Sequence, residues 1–150
     1  MGARIFTPDR QVAAFRRLAD RGFITELTLK SFSAGNRRVW EFNLGDIELQ
    51  NLDDGSRIDF PIDFCRYRFR VKHSRRQEPR IYLVRPTLFR KPHTWKDEDD
   101  RLCLYHPKLW QWKDEMLFDR DLFPQVYMWA FYTECWLVTG KWYGEETPHK

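Results

Sequence analysis

The sequence predicts one α+β domain, built as an amphipathic helix, an antiparallel meander, a long loop and a buried second helix. Three observations lead there. Apolar residues at helical spacing open the chain, runs alternating with period two follow between turn-forming residues, and an apolar segment of helical length comes near the end. Helices set apart from consecutive strands indicate an antiparallel sheet, not a series of βαβ units.

Thr7 reads as a helix N-cap with Pro8 at the first helical position. Val12, Phe15, Leu18 and Ala19 then form one apolar stripe, and Gly22 ends it. The outer side is basic, with Arg10, Arg16, Arg17 and Arg21 partly offset by Asp9 and Asp20. From residue 23 the period becomes two. Leu27 and Leu29 alternate with polar residues, as do Trp40, Phe42 and Leu44 after the turn Ala34-Gly35-Asn36. Ile58, Phe60, Ile62 and Phe64 follow Asp53-Asp54-Gly55, and Tyr67, Phe69 and Val71 alternate with Arg66, Arg68, Arg70 and Lys72. The apolar run Ile81 to Val84 completes a meander with one buried face.

Pro86, Pro92 and Pro107 punctuate residues 86 to 112, which read as a long ordered loop passing over the sheet. Trp95, Tyr105, Trp110 and Trp112 argue against disorder there. Residues 125 to 139 are apolar almost all round and stop at Gly140, as expected of a helix buried against a sheet or a partner. Glu134, its lone carboxylate, should pair with an arginine or reach the helix edge.

At 150 residues the chain fits a single domain spanning 1–150, with enough length for a real core. Aromatic residues make up 17%, so that core should be rich in rings, and whole-chain disorder is excluded. No apolar run is long enough to span a membrane, and the N-terminus lacks a hydrophobic signal core, so a cytoplasmic protein is expected. Three cysteines form neither a CxxC pair nor an even-numbered framework, which leaves free thiols in a reducing compartment. The net charge of +4 is modest. The basic strand Arg66 to Lys72 turns its rings to the opposite face, which weighs against base stacking and so against nucleic acid as the partner. The acidic run Asp97 to Asp100 reads as a solvated loop; no metal site and no cofactor are expected.

Cys65 and Cys135 lie in alternating or apolar segments and read as small core hydrophobes. Cys103 differs. It stands in the proline-punctuated loop with His93 ten residues before it and His106 three after. By spacing alone, a free loop cysteine is more often inert than nucleophilic.

The order of elements, with His93 ten residues ahead of Leu102-Cys103-Leu104 and Trp112 downstream, resembles that of ubiquitin-conjugating enzymes. In that family a His-Pro-Asn triplet begins ten residues before the catalytic cysteine. The resemblance covers roughly residues 8 to 140. More closely, Leu102-Cys103-Leu104-Tyr105-His106-Pro107, Trp110 and Trp136 to Trp142 resemble the bacterial members encoded in anti-phage CBASS operons, the short stand-alone type. The resemblance implies a ubiquitin-conjugating-like fold without the usual extra C-terminal helices. It implies that Cys103 forms a thioester with the C-terminal glycine of a partner, a cGAS-like nucleotidyltransferase, with or without a separate activating enzyme. It also implies partner contacts through the basic first helix at Arg10, Arg16 and Arg17, a structural His93, and His106 as either a general base or an ordinary loop histidine.

Thr94 and Trp95 replace the Pro-Asn of the triplet. In the family the asparagine helps hold the loop and stabilise the oxyanion. Either Trp95, His106 or a backbone N–H takes its place, or transfer to lysine is slow. An alternative implication follows, since some family members have lost catalysis and only bind ubiquitin-like proteins.

Overall fold

The structure, a computed structural model, describes residues 10–32, 37–46, 49–50, 53–58, 63–74, 77–105 and 110–144. In chain order its elements are α1 (Arg10–Asp20), β1 (Ile24–Phe32), β2 (Arg37–Leu44), β3 (Leu49–Gln50), β4 (Arg57–Ile58), β5 (Arg68–His73), β6 (Arg80–Arg85), β7 (Thr94–Trp95), β8 (Arg101–Leu102) and α2 (Phe123–Thr139). The main sheet is antiparallel with spatial order β1-β2-β5-β6, while β3-β4 and β7-β8 are separate small hairpins. The α+β class and the order of elements are those the sequence predicts.

Cross-strand register explains the buried face. Trp40 lies opposite Val71, and Phe42 opposite Phe69, which in turn faces Leu83. These five are buried, as period-two alternation requires. In α1, Ala14, Phe15 and Leu18 point inward, with Val12 and Ala19 packed at the margin. Phe15 is stacked between Trp40 (4.5 Å) and Phe118 (4.3 Å). Fully burying a side chain of this size is worth about 1.5–3 kcal/mol. From α2, Trp129 meets Phe69 edge-on at 6.1 Å, so both helices cover the same sheet face. Thr7 and Pro8, the expected cap of α1, lie outside the described residues.

Three expectations need correction. The alternating run at 58–64 is not one strand. Only Arg57–Ile58 pairs, and Phe64–Arg66 forms a 3-10 turn capped by Asp63, which accepts a hydrogen bond from the Cys65 amide at 3.0 Å. Phe60 and Ile62 lie outside the described residues. The loop at 86–112 contains the β7-β8 hairpin, which packs against β6 through β8. And α2 is buried on one side only: Phe123, Val126, Trp129, Ala130 and Thr133 face the core, while Met128, Leu137 and Val138 are exposed. A helix lying on one face of a sheet has only one side to bury, whatever its composition. Pro124 sits in its first turn, and Gly140 at φ 76° closes it, donating its N–H to the Trp136 carbonyl at 2.7 Å.

Glu134 pairs with Arg66, as anticipated for a lone carboxylate in an apolar helix. On the outer sheet face, Glu41 binds both Arg68 and Arg70, and Arg68 also donates to the Asn43 side chain at 2.8 Å. The positive charge of Arg66, Arg68 and Arg70 is thus partly offset within the fold by Glu134 and Glu41. Among the described residues, no helix is long and apolar enough to cross a membrane.

Candidate functional site

Cys103 follows β8 directly. The hairpin pairs Thr94 with Leu102 and Trp95 with Arg101, so His93 and Cys103 meet at its open end. There the Cys103 amide donates to the His93 carbonyl at 3.1 Å. The ten-residue interval in the sequence is the length of this hairpin. Its turn takes up the acidic run, with Asp99 and Asp100 in the left-handed region at φ 56° and 60°, a conformation that aspartate tolerates better than most residues. Asp100 pairs with Lys96 and accepts from the Thr94 hydroxyl, and Glu98 pairs with Arg101. These carboxylates therefore serve the turn, at the end of the hairpin away from Cys103. Among the described residues, no three His, Cys, Asp or Glu side chains gather as a metal site would need.

The His93 carbonyl also accepts the indole N–H of Trp129 at 3.3 Å, which ties the hairpin to α2. The His93 ring stacks on Trp142, with centroids 4.7 Å apart. Trp142 comes from the segment after α2, which folds back over the hairpin. Together these rings close over Cys103, which is 2% exposed and donates its thiol to the Tyr105 carbonyl at 3.8 Å. The loop placement of Cys103 does not leave its thiol open to solvent. The thiol instead lines a cavity of about 360 Å³ walled by His93, Tyr105, Met128, Trp129, Tyr132 and Trp142.

The other two cysteines are also misplaced by sequence reasoning. Cys65 is exposed and Cys135 half-buried. Alternation puts Cys65 inside only if the strand runs through it, and the 3-10 turn breaks that phase. Partial burial, then Asp63 and Asp46, push the Cys65 thiol above its ordinary range.

His106 lies outside the described residues. Arg10 and Arg17 are on α1 but are engaged within the chain: Arg10 donates to the Glu115 carbonyl at 2.7 Å, and Arg17 grips Asp119 at 2.8 Å. Arg16 is exposed on the same helix. Trp95 does not share the Cys103 cavity. It lines a second one, of about 540 Å³, with Glu78, Arg101, Tyr105, Trp110 and Trp112. Glu78 there accepts from the Tyr105 hydroxyl and from Arg101, fastening the start of β6 to the hairpin and the loop beyond it. Burial and the neighbouring Glu78 carboxylate raise the Tyr105 hydroxyl far above its usual range. Sequence reasoning missed Glu78, Trp129 and Tyr132 as parts of this site. Their contacts join segments far apart in the chain, and no local pattern announces them.

Fold and site define an α+β domain that holds a cysteine on the wall of a ring-lined cavity, framed by a hairpin and a helix. The family model described as Type II CBASS E2 protein matches residues 40–150, and the chain belongs to that family. Membership gives the protein an E2-like role in CBASS antiviral defence and connects it with other CBASS proteins. No curated protein matches the sequence.

Proposed function

We propose that the protein is a ubiquitin-conjugating-like carrier whose Cys103 holds the C-terminal acyl group of a partner protein as a thioester. The observation that carries this reading is that Cys103, alone among the three cysteines, lines the cavity beside the hairpin. An extended chain ending in glycine suits a site walled by rings, because the last residue adds no side chain to accommodate. The chemistry is thioester exchange. The Cys103 thiolate attacks the carbonyl carbon of an activated acyl group, a new C–S bond forms, and the donor thiolate leaves with its bonding electrons. An amine then attacks the same carbon and sheds a proton to solvent, a C–N bond forms, and Cys103 departs as thiolate with the C–S electron pair. An acyl group that arrives already activated demands little base catalysis at the carrier.

The partner we infer is a cGAS-like nucleotidyltransferase, conjugated through its C-terminus to raise its signalling output, with Arg16 on α1 available to an activating enzyme. Intact-mass measurement after incubation with the activated partner tests the reading. The expected result is a reductant-sensitive adduct that Cys65→Ser retains and Cys103→Ala abolishes. An adduct on Cys103→Ala would refute it. A second reading, a binding module without catalysis, is favoured by the 2% exposure of Cys103. Partner binding with no adduct on the wild-type chain would select it.

A further inference from the structure

We propose that Glu78 is a positioning residue for Cys103, and that its grip on Tyr105 keeps the sulfur covered until that grip is released. The proposal rests on the carrier reading above and names what governs access to its thiol. Glu78 holds the chain on both sides of the cysteine. Arg101, two residues before it, donates Nη2 to the carboxylate at 2.5 Å, and Tyr105, two residues after it, donates its hydroxyl. The Tyr105 carbonyl in turn receives the Cys103 thiol at 3.8 Å. A carboxylate just ahead of β6 is thereby linked to the sulfur through a single residue.

Few polar contacts fix the chain beyond Cys103. The Cys103 amide is bonded to His93, but among the described residues Leu104 makes no hydrogen bond, and those of Tyr105 are the two just named. Leu104 adds apolar packing against the core, and the Tyr105 ring rests on Trp110 with centroids 4.4 Å apart. The hydroxyl bond goes to a charged acceptor, which makes it one of the stronger kind. Leu104 and Tyr105 also line both cavities, so the side chain that Glu78 holds helps to partition the Cys103 cavity from the larger one. At 2% exposure Cys103 offers almost no surface to a protein tail. Letting Tyr105 swing away removes the carbonyl from the thiol and joins the two cavities beside it.

The test uses the full chain carrying Cys65→Ser, treated with a bulky maleimide or with a synthetic peptide ending in Gly-Gly as an alkyl thioester. Peptide mapping after timed quenching gives the rate at each cysteine. Tyr105→Phe deletes only the hydroxyl, and Glu78→Ala removes its acceptor. Each should speed maleimide labelling of Cys103 about tenfold, equivalent to about 1.4 kcal/mol on the opening equilibrium, and should speed its acylation as well. Labelling of Cys135 on α2 should not change. Glu78→Gln keeps an oxygen for the hydroxyl and should fall between wild type and Glu78→Ala. That comparison decides the matter if Tyr105→Phe does not fold. The double variant should label no faster than Glu78→Ala, because both changes remove one contact, whereas independent loosening of the fold would add. Wild-type labelling of Cys103 in folded Tyr105→Phe protein, or additive gains in the double variant, would overturn the proposal and leave the carrier reading standing. Faster labelling without acylation of Cys103 in any variant would uphold the positioning role and sink the carrier reading.

Discussion

The amide of Cys103 donates to the carbonyl of His93 at 3.1 Å, which turns ten residues of separation into direct contact. The bond closes the hairpin, and the same carbonyl receives the Trp129 indole from α2 at 3.3 Å. His93 thus contributes through its backbone as much as through its ring, which stacks on Trp142. The position of the Cys103 sulfur depends on a junction of three segments. No single loop sets it.

Trp129→Phe tests that junction. The variant loses the hydrogen bond to His93 and part of a side chain that is 2% exposed. The expected cost is about 1–3 kcal/mol, read as a lower denaturation midpoint in urea. Alkylation of native Cys103 should accelerate at the same time, because the hairpin is no longer tied to α2. Unchanged Cys103 reactivity in a destabilised Trp129→Phe protein would show that this bond does not set the sulfur's position.

Thiol reactivity should follow the observed burial and not the alternation of the sequence. Cys65 is exposed and Cys103 buried, so a bulky maleimide under native conditions should label Cys65 first. Its raised thiol pKa slows the reaction near neutrality and makes it accelerate with increasing pH. Cys103 should react only with small reagents that fit the cavity. Peptide mapping after timed quenching gives the order, and labelling of Cys103 ahead of Cys65 by the bulky reagent would contradict the structure.

The Arg66–Glu134 pair should respond asymmetrically to truncation. The glutamate side chain retains 11% of its exposure and the arginine 41%. Arg66→Ala strands a carboxylate inside, at a cost of about 2 kcal/mol, between the values for surface and buried pairs. Glu134→Ala leaves a guanidinium that can still reach water, so the loss should be smaller. Urea denaturation of the two variants measures the difference, and equal losses would mean that burial does not govern this pair.

The legible parts of the chain are those where local pattern and final environment agree. Val12, Phe15 and Leu18 foretell the inward face of α1, and Trp40, Phe42, Phe69 and Val71 foretell the buried face of the sheet. Cys65 marks where the pattern misleads: Asp63 caps a 3-10 turn over Phe64–Arg66, so Phe64 stays buried as its alternation expects while Cys65 is left exposed. The separation of His93 from Cys103 is visible as a number, but its cause is the β7-β8 hairpin, whose turn relies on two left-handed aspartates within an apparently featureless acidic run. The cavity was not legible at all. Trp129, Tyr132 and Trp142 join it only because α2 crosses the sheet and the chain then doubles back beyond Gly140.

A buried histidine and a set of paired carboxylates, Glu78 among them, should give stability a stepped dependence on pH. His73 packs near Trp40 and Trp112, and burial foremost lowers its pKa below the ordinary 6.5. The folded chain therefore holds His73 neutral where the unfolded chain already binds a proton. Its contribution is present above about pH 6.5 and is lost as pH falls from there toward the folded value. Glu78 behaves as a depressed carboxylate: burial opposes its ionisation, but the Tyr105 hydroxyl and Arg101 outweigh it and bring its pKa below 4.5. Its contribution is present above about pH 4.5 and disappears as pH falls through the folded value. Urea midpoints measured from pH 8 to pH 3 should therefore decline in two stages. His73→Phe should flatten the upper stage alone, and Glu78→Gln should lessen the lower without removing it, because Glu41, Asp100 and Asp121 are depressed by their own partners as well. If His73→Phe leaves the decline below pH 6.5 unchanged, the buried neutral histidine is not its source.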